Sequence, residues 1–300
     1  MVNTEQWLTK FALLRIDKAR GDPAPHKPLL LLVVLELAEQ GFLPEDLLPL
    51  APELAFRFQT FWSVVAYRRS QPPDIRLPFH YLQSDGFWSA LDENGKPSPD
   101  KRLTRYAALD RDFVAFAKDP TLRNRARRIL IERYFQPAER AALSTLVGLP
   151  VHSEKEIVAE TADTAFYYAR KQGREARFRL AVVAAYDYTC ALTGYRLTTI
   201  MAGSIVDAAH IHQFADSRNN DPQNGLALSK NAHWLFDQGL WTIADDYTVI
   251  VAVGQFVEQS PDQKGLRDYH GQKIRLPKDP ALWPNLLHLV WHRKNRFQGI

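Results

Sequence analysis

The stretch from Ser204 to Asp237 reads as three local structures in close succession, and this order limits what the chain can fold into. Ser204–His212, with Val206-Asp207-Ala208-Ala209-His210-Ile211 at its centre, has the character of a short strand. Ala215–Asn224 is a polar loop, and Ser229–Phe236 has helical spacing. Asn224-Gly225-Leu226-Ala227-Leu228 joins loop to helix, and the helix carries His233-Trp234-Leu235-Phe236-Asp237. A strand, a loop and a helix this close in sequence bring the strand's end and one helix face together.

The residue types at those places suit one chemistry. Cleaving a phosphodiester needs a base to deprotonate water, and a divalent cation to neutralise charge on the phosphate oxygens. His210 ends the strand, and a neutral imidazole is the natural base near pH 7. His233 and Asp237 stand four residues apart, so a helix projects both from one face, where they can hold one metal ion. Asn224 has an amide able to bridge the loop backbone and lock strand to helix. His212 alternates onto the strand face of His210 and ranks second for either role.

Residues 174–245 resemble the HNH endonuclease family, in the subgroup reading Asp-x-x-His-Ile, Asn-Gly-Leu-x-Leu and His-x-x-Phe-Asp-x-Gly. The matching residues are Asp207, His210, Ile211, Asn224, Gly225, Leu226, Leu228, His233, Phe236, Asp237 and Gly239, with Cys190-Ala191-Leu192-Thr193-Gly194 as the usual lead-in. The resemblance implies a ββα-metal unit with His210 as general base, Asn224 as structural Asn and His233 as metal ligand. The expected metal is Mg²⁺ or Mn²⁺. One departure is Ala209, where many members carry a metal-binding Asp or His. Asp207 and Asp237 therefore compete for the remaining ligand place. Relatives often hold a structural zinc with Cys pairs; Cys190 is the sole cysteine, so no Cys-zinc site and no intrachain disulfide is expected.

The first half reads as helices with a small sheet element. Thr4–Lys18 has helical spacing, Leu29–Ala38 is an apolar helix closed by Gly41, and Phe56–Tyr67 and 109–135 are helical. Leu77–Leu82 and Phe87–Leu91 are expected as short strands around a Ser84-Asp85-Gly86 turn. Ala24-Pro25-His26-Lys27-Pro28-Leu29 and Pro78-Phe79, followed by Asp85-Gly86-Phe87-Trp88, resemble the sulfur-binding domain of McrA-like, phosphorothioate-dependent restriction enzymes over roughly residues 4–137. A sulfur replacing a phosphate oxygen is larger, softer and poorly hydrated, so a reader needs an apolar cup ringed by cations. The resemblance offers Leu77, Pro78, Phe79 and Tyr81 for the cup, and Arg20, His26 and Lys27 for phosphate and base edges. Arg123, Arg125, Arg127, Arg128 and Arg133 form either a solvated helix face or a phosphate-contacting strip.

Three hundred residues make two domains the default, and a net charge of +4 permits a nucleic-acid partner. The expected class is α+β. A helix-rich DNA-reading domain spans 1–137, a linker 138–165, and a ββα-metal nuclease 166–300. The apolar run Leu29–Leu35 is too short to span a bilayer and no basic, apolar leader opens the chain, so the expectation is a cytoplasmic protein without membrane contact. The expected partner is double-stranded, phosphorothioated DNA, with a homodimer suited to cutting both strands. Competing readings are an HNH nuclease for methylated or unmodified DNA, with Trp62 and Trp88 lining a base pocket, and a DNA-binding regulator with an inactive HNH scaffold.

Overall fold

The computed structural model describes residues 4–17, 23–66, 72–149 and 164–299. The chain divides into two compact units, Met1–Arg177 with Thr199–Gly203, and Phe178–Thr198 with Ser204–Ile300. The class is α+β, with helices and small antiparallel sheets.

The first unit is organised around α2 (His26–Glu39). Leu29–Leu35 are fully buried, as a helix apolar on every side must be. Pro28 sits in its first turn, where a missing N–H costs nothing, and Gly41 ends the segment in the left-handed region at φ 75°. Around α2 pack α3 (Pro52–Ser63), α4 (Arg76–Tyr81), α5 (Arg111–Lys118) and α6 (Pro120–Tyr134). Helix α1 (Thr4–Ala12) brings Trp7 and Phe11 against Phe87, Phe113 and Phe116. Three short strands complete the unit. β3 (Tyr106–Leu109) pairs antiparallel with β1 (Leu47–Pro49) and β2 (Trp88–Leu91), with Leu47 opposite Ala108 and Trp88 opposite Leu109. Helix α7 (Pro137–Leu146) begins at the last residue of 1–137 and runs into the stretch expected as linker, where Ala138–Leu146 also reads as helical in sequence, and residues 150–163 are outside the described set.

Two sequence expectations for this unit are corrected. Leu77–Leu82 is not a strand: Arg76–Tyr81 is α4, running on into a 3-10 turn at Leu82–Asp85. The arginines of α6 do not form one outward strip. Arg123 and Arg127 are buried, and Arg127 Nη2 donates to Glu39 Oε2 at 2.7 Å.

The second unit opens within α8 (Thr164–Ala185), whose last turns begin at Phe178. β4 (Val206–His210) pairs antiparallel with β5 (Gly225–Ser229), Asp207 opposite Leu228 and His210 opposite Gly225. α9 (Lys230–Asp237) follows directly, completing a ββα unit. A second hairpin pairs β6 (Trp241–Ile243) with β7 (Val249–Val251), and α10 (Leu286–Asn295) begins at an Asn285 cap. Lys273 forms an isolated antiparallel bridge to Thr248. Cys190 is buried beside Ser229, at the start of α9. No helix among the described residues is long and apolar enough to cross a membrane.

His292, on the buried side of α10, ties this unit's stability to pH. Its ring stacks on Phe236 with centroids 3.8 Å apart, and Nδ1 meets Thr242 Oγ1 at 2.8 Å. Burial pushes its pKa down from 6.5 to about 4. The folded value lies below the unfolded one, so the stabilisation is full above pH 6.5 and is lost as pH falls toward 4. The loss amounts to roughly 3 kcal/mol for one such group. Thermal melting of the full chain should therefore weaken between pH 6.5 and 4.5, and less steeply in His292→Gln. Equal pH slopes for the two proteins would discard this assignment.

Candidate functional site

The end of β4 is built to hold one imidazole still. The His210 ring stacks on Phe178 with centroids 3.9 Å apart and planes within 8°. Gly225, opposite His210 in the ladder, makes that approach feasible, because a Cβ there would stand 2.4 Å from Val182 Cγ2 and 2.9 Å from the Phe178 ring. His210 Nε2 lies 2.9 Å from Asn220 Oδ1. An amide oxygen only accepts, so Nε2 carries a hydrogen toward it. The stacking and this bond together orient the ring plane.

Asn224 is fully buried and clamps the loop between the two strands. Its Oδ1 accepts from His212 N at 2.8 Å, and its Nδ2 donates to His212 O at 2.8 Å and Asn219 O at 3.0 Å. The side chain thus replaces the strand partner that His212 lacks beyond the hairpin. His212 itself stacks on Trp291 of α10 at 3.9 Å, with His288 centred 5.7 Å away. Burial, then the neighbouring His212, holds the His288 pKa below its ordinary value. His233 Nε2 and Asp237 Oδ2, one turn apart on α9, are 3.4 Å from each other. Asp207 faces elsewhere: its Oδ1 accepts from Arg179 Nε at 2.8 Å and from Ala208 N at 2.9 Å.

In the first unit, a cavity of about 540 Å³ gathers His26, Lys27, Leu77, Pro78 and Tyr81. Arg15, which nothing in the sequence singled out, also lines it. Lys27 Nζ is held by Asp85 Oδ2 at 2.7 Å and Ser84 Oγ at 2.9 Å, and Asp85 Oδ1 accepts from Arg15 N. Tyr81 is exposed, and apolar faces of Leu77 and Pro78 share the wall. Phe79, expected in the cup, is instead fully buried against Trp88, whose indole donates to Phe79 O at 2.7 Å. The helix puts Phe79 a quarter-turn or more from its neighbours and into the core. Trp62 and Trp88 are buried too, so they do not line an open base pocket. Arg20 lies outside the described residues.

Comparison with known proteins bears on the ββα unit first. Residues 190–244 match the HNH endonuclease family. No curated protein matches the chain. Among solved structures, the chain is similar to "Modification dependent TagI restriction endonuclease", at 22% identity and TM-score 0.31. That likeness covers 42% of this chain and 39% of the other, so it spans about two fifths of that enzyme's length. It is also similar to "Sulfur binding domain of SprMcrA complexed with phosphorothioated DNA", at 18% identity and TM-score 0.39, over 49% of this chain and 94% of that one.

The HNH match contains His210, Asn224, His233, Asp207 and Asp237. Of these, the structure brings His233 and Asp237 together as a donor pair. No group of three or more His, Cys, Asp or Glu side chains converges among the described residues. Two protein donors suit a hard cation that keeps several waters and borrows phosphate oxygens, and do not suit a protein-only cage. Asn220 and Phe178, which orient His210, went unnoticed in the sequence. An Asn in a polar loop and a Phe on an amphipathic helix look like any others until the fold brings them to the imidazole.

Proposed function

We propose that this chain is a modification-dependent DNA endonuclease whose HNH unit hydrolyses phosphodiester bonds and whose first unit reads phosphorothioated duplex DNA. The observation that carries the nuclease reading is the oriented imidazole of His210 inside the HNH match. His210 takes a proton from water, the water oxygen attacks phosphorus, and one ester P–O bond breaks to leave a phosphomonoester and an alkoxide, which takes up a proton from solvent to become the alcohol. Phe178 and Asn220 keep the ring from turning, and Asn224 holds the loop that carries Asn220. His233 and Asp237 would hold a divalent cation, Mg²⁺ or Mn²⁺, which when bound supplies charge neutralisation at the phosphate oxygens. Asp207, engaged by Arg179, then serves to fix α8 against β4.

The modification reading is supported by the cavity that joins Leu77, Pro78 and Tyr81 to His26, Lys27 and Arg15. It offers apolar wall to a poorly hydrated sulfur and cations to the surrounding backbone. The domain division at 1–137 and 166–300 belongs to this proposal, as does cleavage by a homodimer. The test uses the full-length His210→Ala protein and two duplexes differing by one sulfur atom. The sulfur-bearing duplex should bind at least about tenfold more tightly, equivalent to the ~1.4 kcal/mol that one good local contact supplies. Tyr81→Ala should erase that preference. Equal affinity for the two duplexes would remove the sulfur reading, and a preference for a methylated duplex would replace it.

A further inference from the structure

Helix α9 carries one residue that neither the core nor the donor pair explains. Successive helical residues turn by about 100°. Ala232 and Phe236 are buried and mark the side of α9 that faces the core. The direction opposite to them falls on Trp234, with Lys230 and then Asp237 beside it and His233 next on the same arc. That outermost position ordinarily carries a polar or charged side chain. Here an indole is 60% exposed. A fully outward Trp on the helix that holds His233 and Asp237, with the exposed Lys230 one turn before it, presents an apolar plate and a cation on one edge of the candidate site.

We infer that Trp234 and Lys230 contact the substrate DNA: the indole packs on the sugar edge of a nucleotide beside the scissile phosphate, and the ammonium takes a flanking phosphate. The inference rests on the nuclease reading above. In a duplex the base faces are already stacked on one another, so the indole meets sugar edges, a contact that carries no sequence information and fits a cutting unit that does not itself choose the site. A Lys–phosphate contact is equally indifferent to sequence. The continuity of this edge with the His233–Asp237 pair favours DNA over a protein partner.

The experiment measures binding of a fluorescent duplex by the full-length His210→Ala protein, alone and with a second substitution, across a salt series. Trp234→Ala should weaken binding about tenfold at every salt concentration. Trp234→Phe should restore most of the affinity. Lys230→Ala should lower the slope of log affinity against log salt by about one, whereas Trp234→Ala should leave that slope unchanged. Because Trp234 is exposed, circular dichroism should show the same helix content for all variants. Unchanged affinity in Trp234→Ala would overturn the inference, as would a Trp234→Ala effect confined to self-association in sedimentation. If the wild type cuts no DNA but the Trp234→Ala loss is present, the nuclease reading fails while the DNA contact stands.

Discussion

His210→Ala should lower the rate of DNA cleavage by about 10²–10⁴-fold, the usual contribution of a positioned general base. Duplex affinity should stay within about twofold, because the role proposed for the lost group is on water rather than on the DNA. The ring stacks on Phe178, has the Phe214 ring 5.9 Å away and bonds Asn220 through Nε2, so thermal melting of His210→Ala should be read beside the rate to separate lost chemistry from lost packing. Asn220→Ala should give a smaller loss in kcat with little change in KM, since it frees the ring without removing the base. Asp237→Asn should raise the Mn²⁺ concentration needed for half-maximal cleavage, while Asp207→Asn should show its effect in thermal melting, through Arg179. Cleavage by His210→Ala at the wild-type rate would end the assignment of the base. A dependence on Asp207 rather than Asp237 for metal response would exchange their roles.

The parts of this protein that were legible in its sequence are those specified by neighbours in the chain. The ββα unit is written in a single stretch, with two short, largely apolar strands, an Asn-Gly junction and a helical repeat, so its elements follow from local chemistry. The buried helix at Leu29–Leu35 was legible for the same reason. What holds His210 was not, because Phe178 comes from a helix more than thirty positions earlier and Asn220 looks like an ordinary loop residue. Leu77–Leu82 failed as a strand because six residues are too few to separate a period of 2 from one of 3.6. Pro78, in the first turn of α4, is compatible with a helix there. The arginines of α6 failed on a different ground. Composition reports charge but not direction, and Glu39 draws Arg127 and Arg123 inward.

Asn224→Ala should destabilise the second unit and lower cleavage together, and that coupling separates a brace from a bystander. The substitution removes one acceptor and two donors from a site with no solvent access. His212 N–H and Asn219 C=O, both on half-buried residues, then lose that partner, and His212 C=O keeps the longer bond from Ser217 Oγ at 3.3 Å. Each lost bond contributes about 0.5–1.5 kcal/mol, so the expected loss is roughly 2–3 kcal/mol, and the melting temperature should fall by several degrees. Asn224→Asp should be no better: it keeps an oxygen toward His212 N but loses both donors and adds a charge in a dry site. Cleavage should fall because Asn219 and Asn220 are consecutive. The bond from Asn224 to Asn219 fixes the loop whose next residue orients His210. The rescue test is temperature. If cleavage per folded molecule recovers when Asn224→Ala is assayed well below its melting point, Asn224 acts only on stability; if the deficit persists, the loop's hold on the imidazole is what the reaction uses. A variant that melts with the wild type would show that the clamp seen around His212 carries no weight.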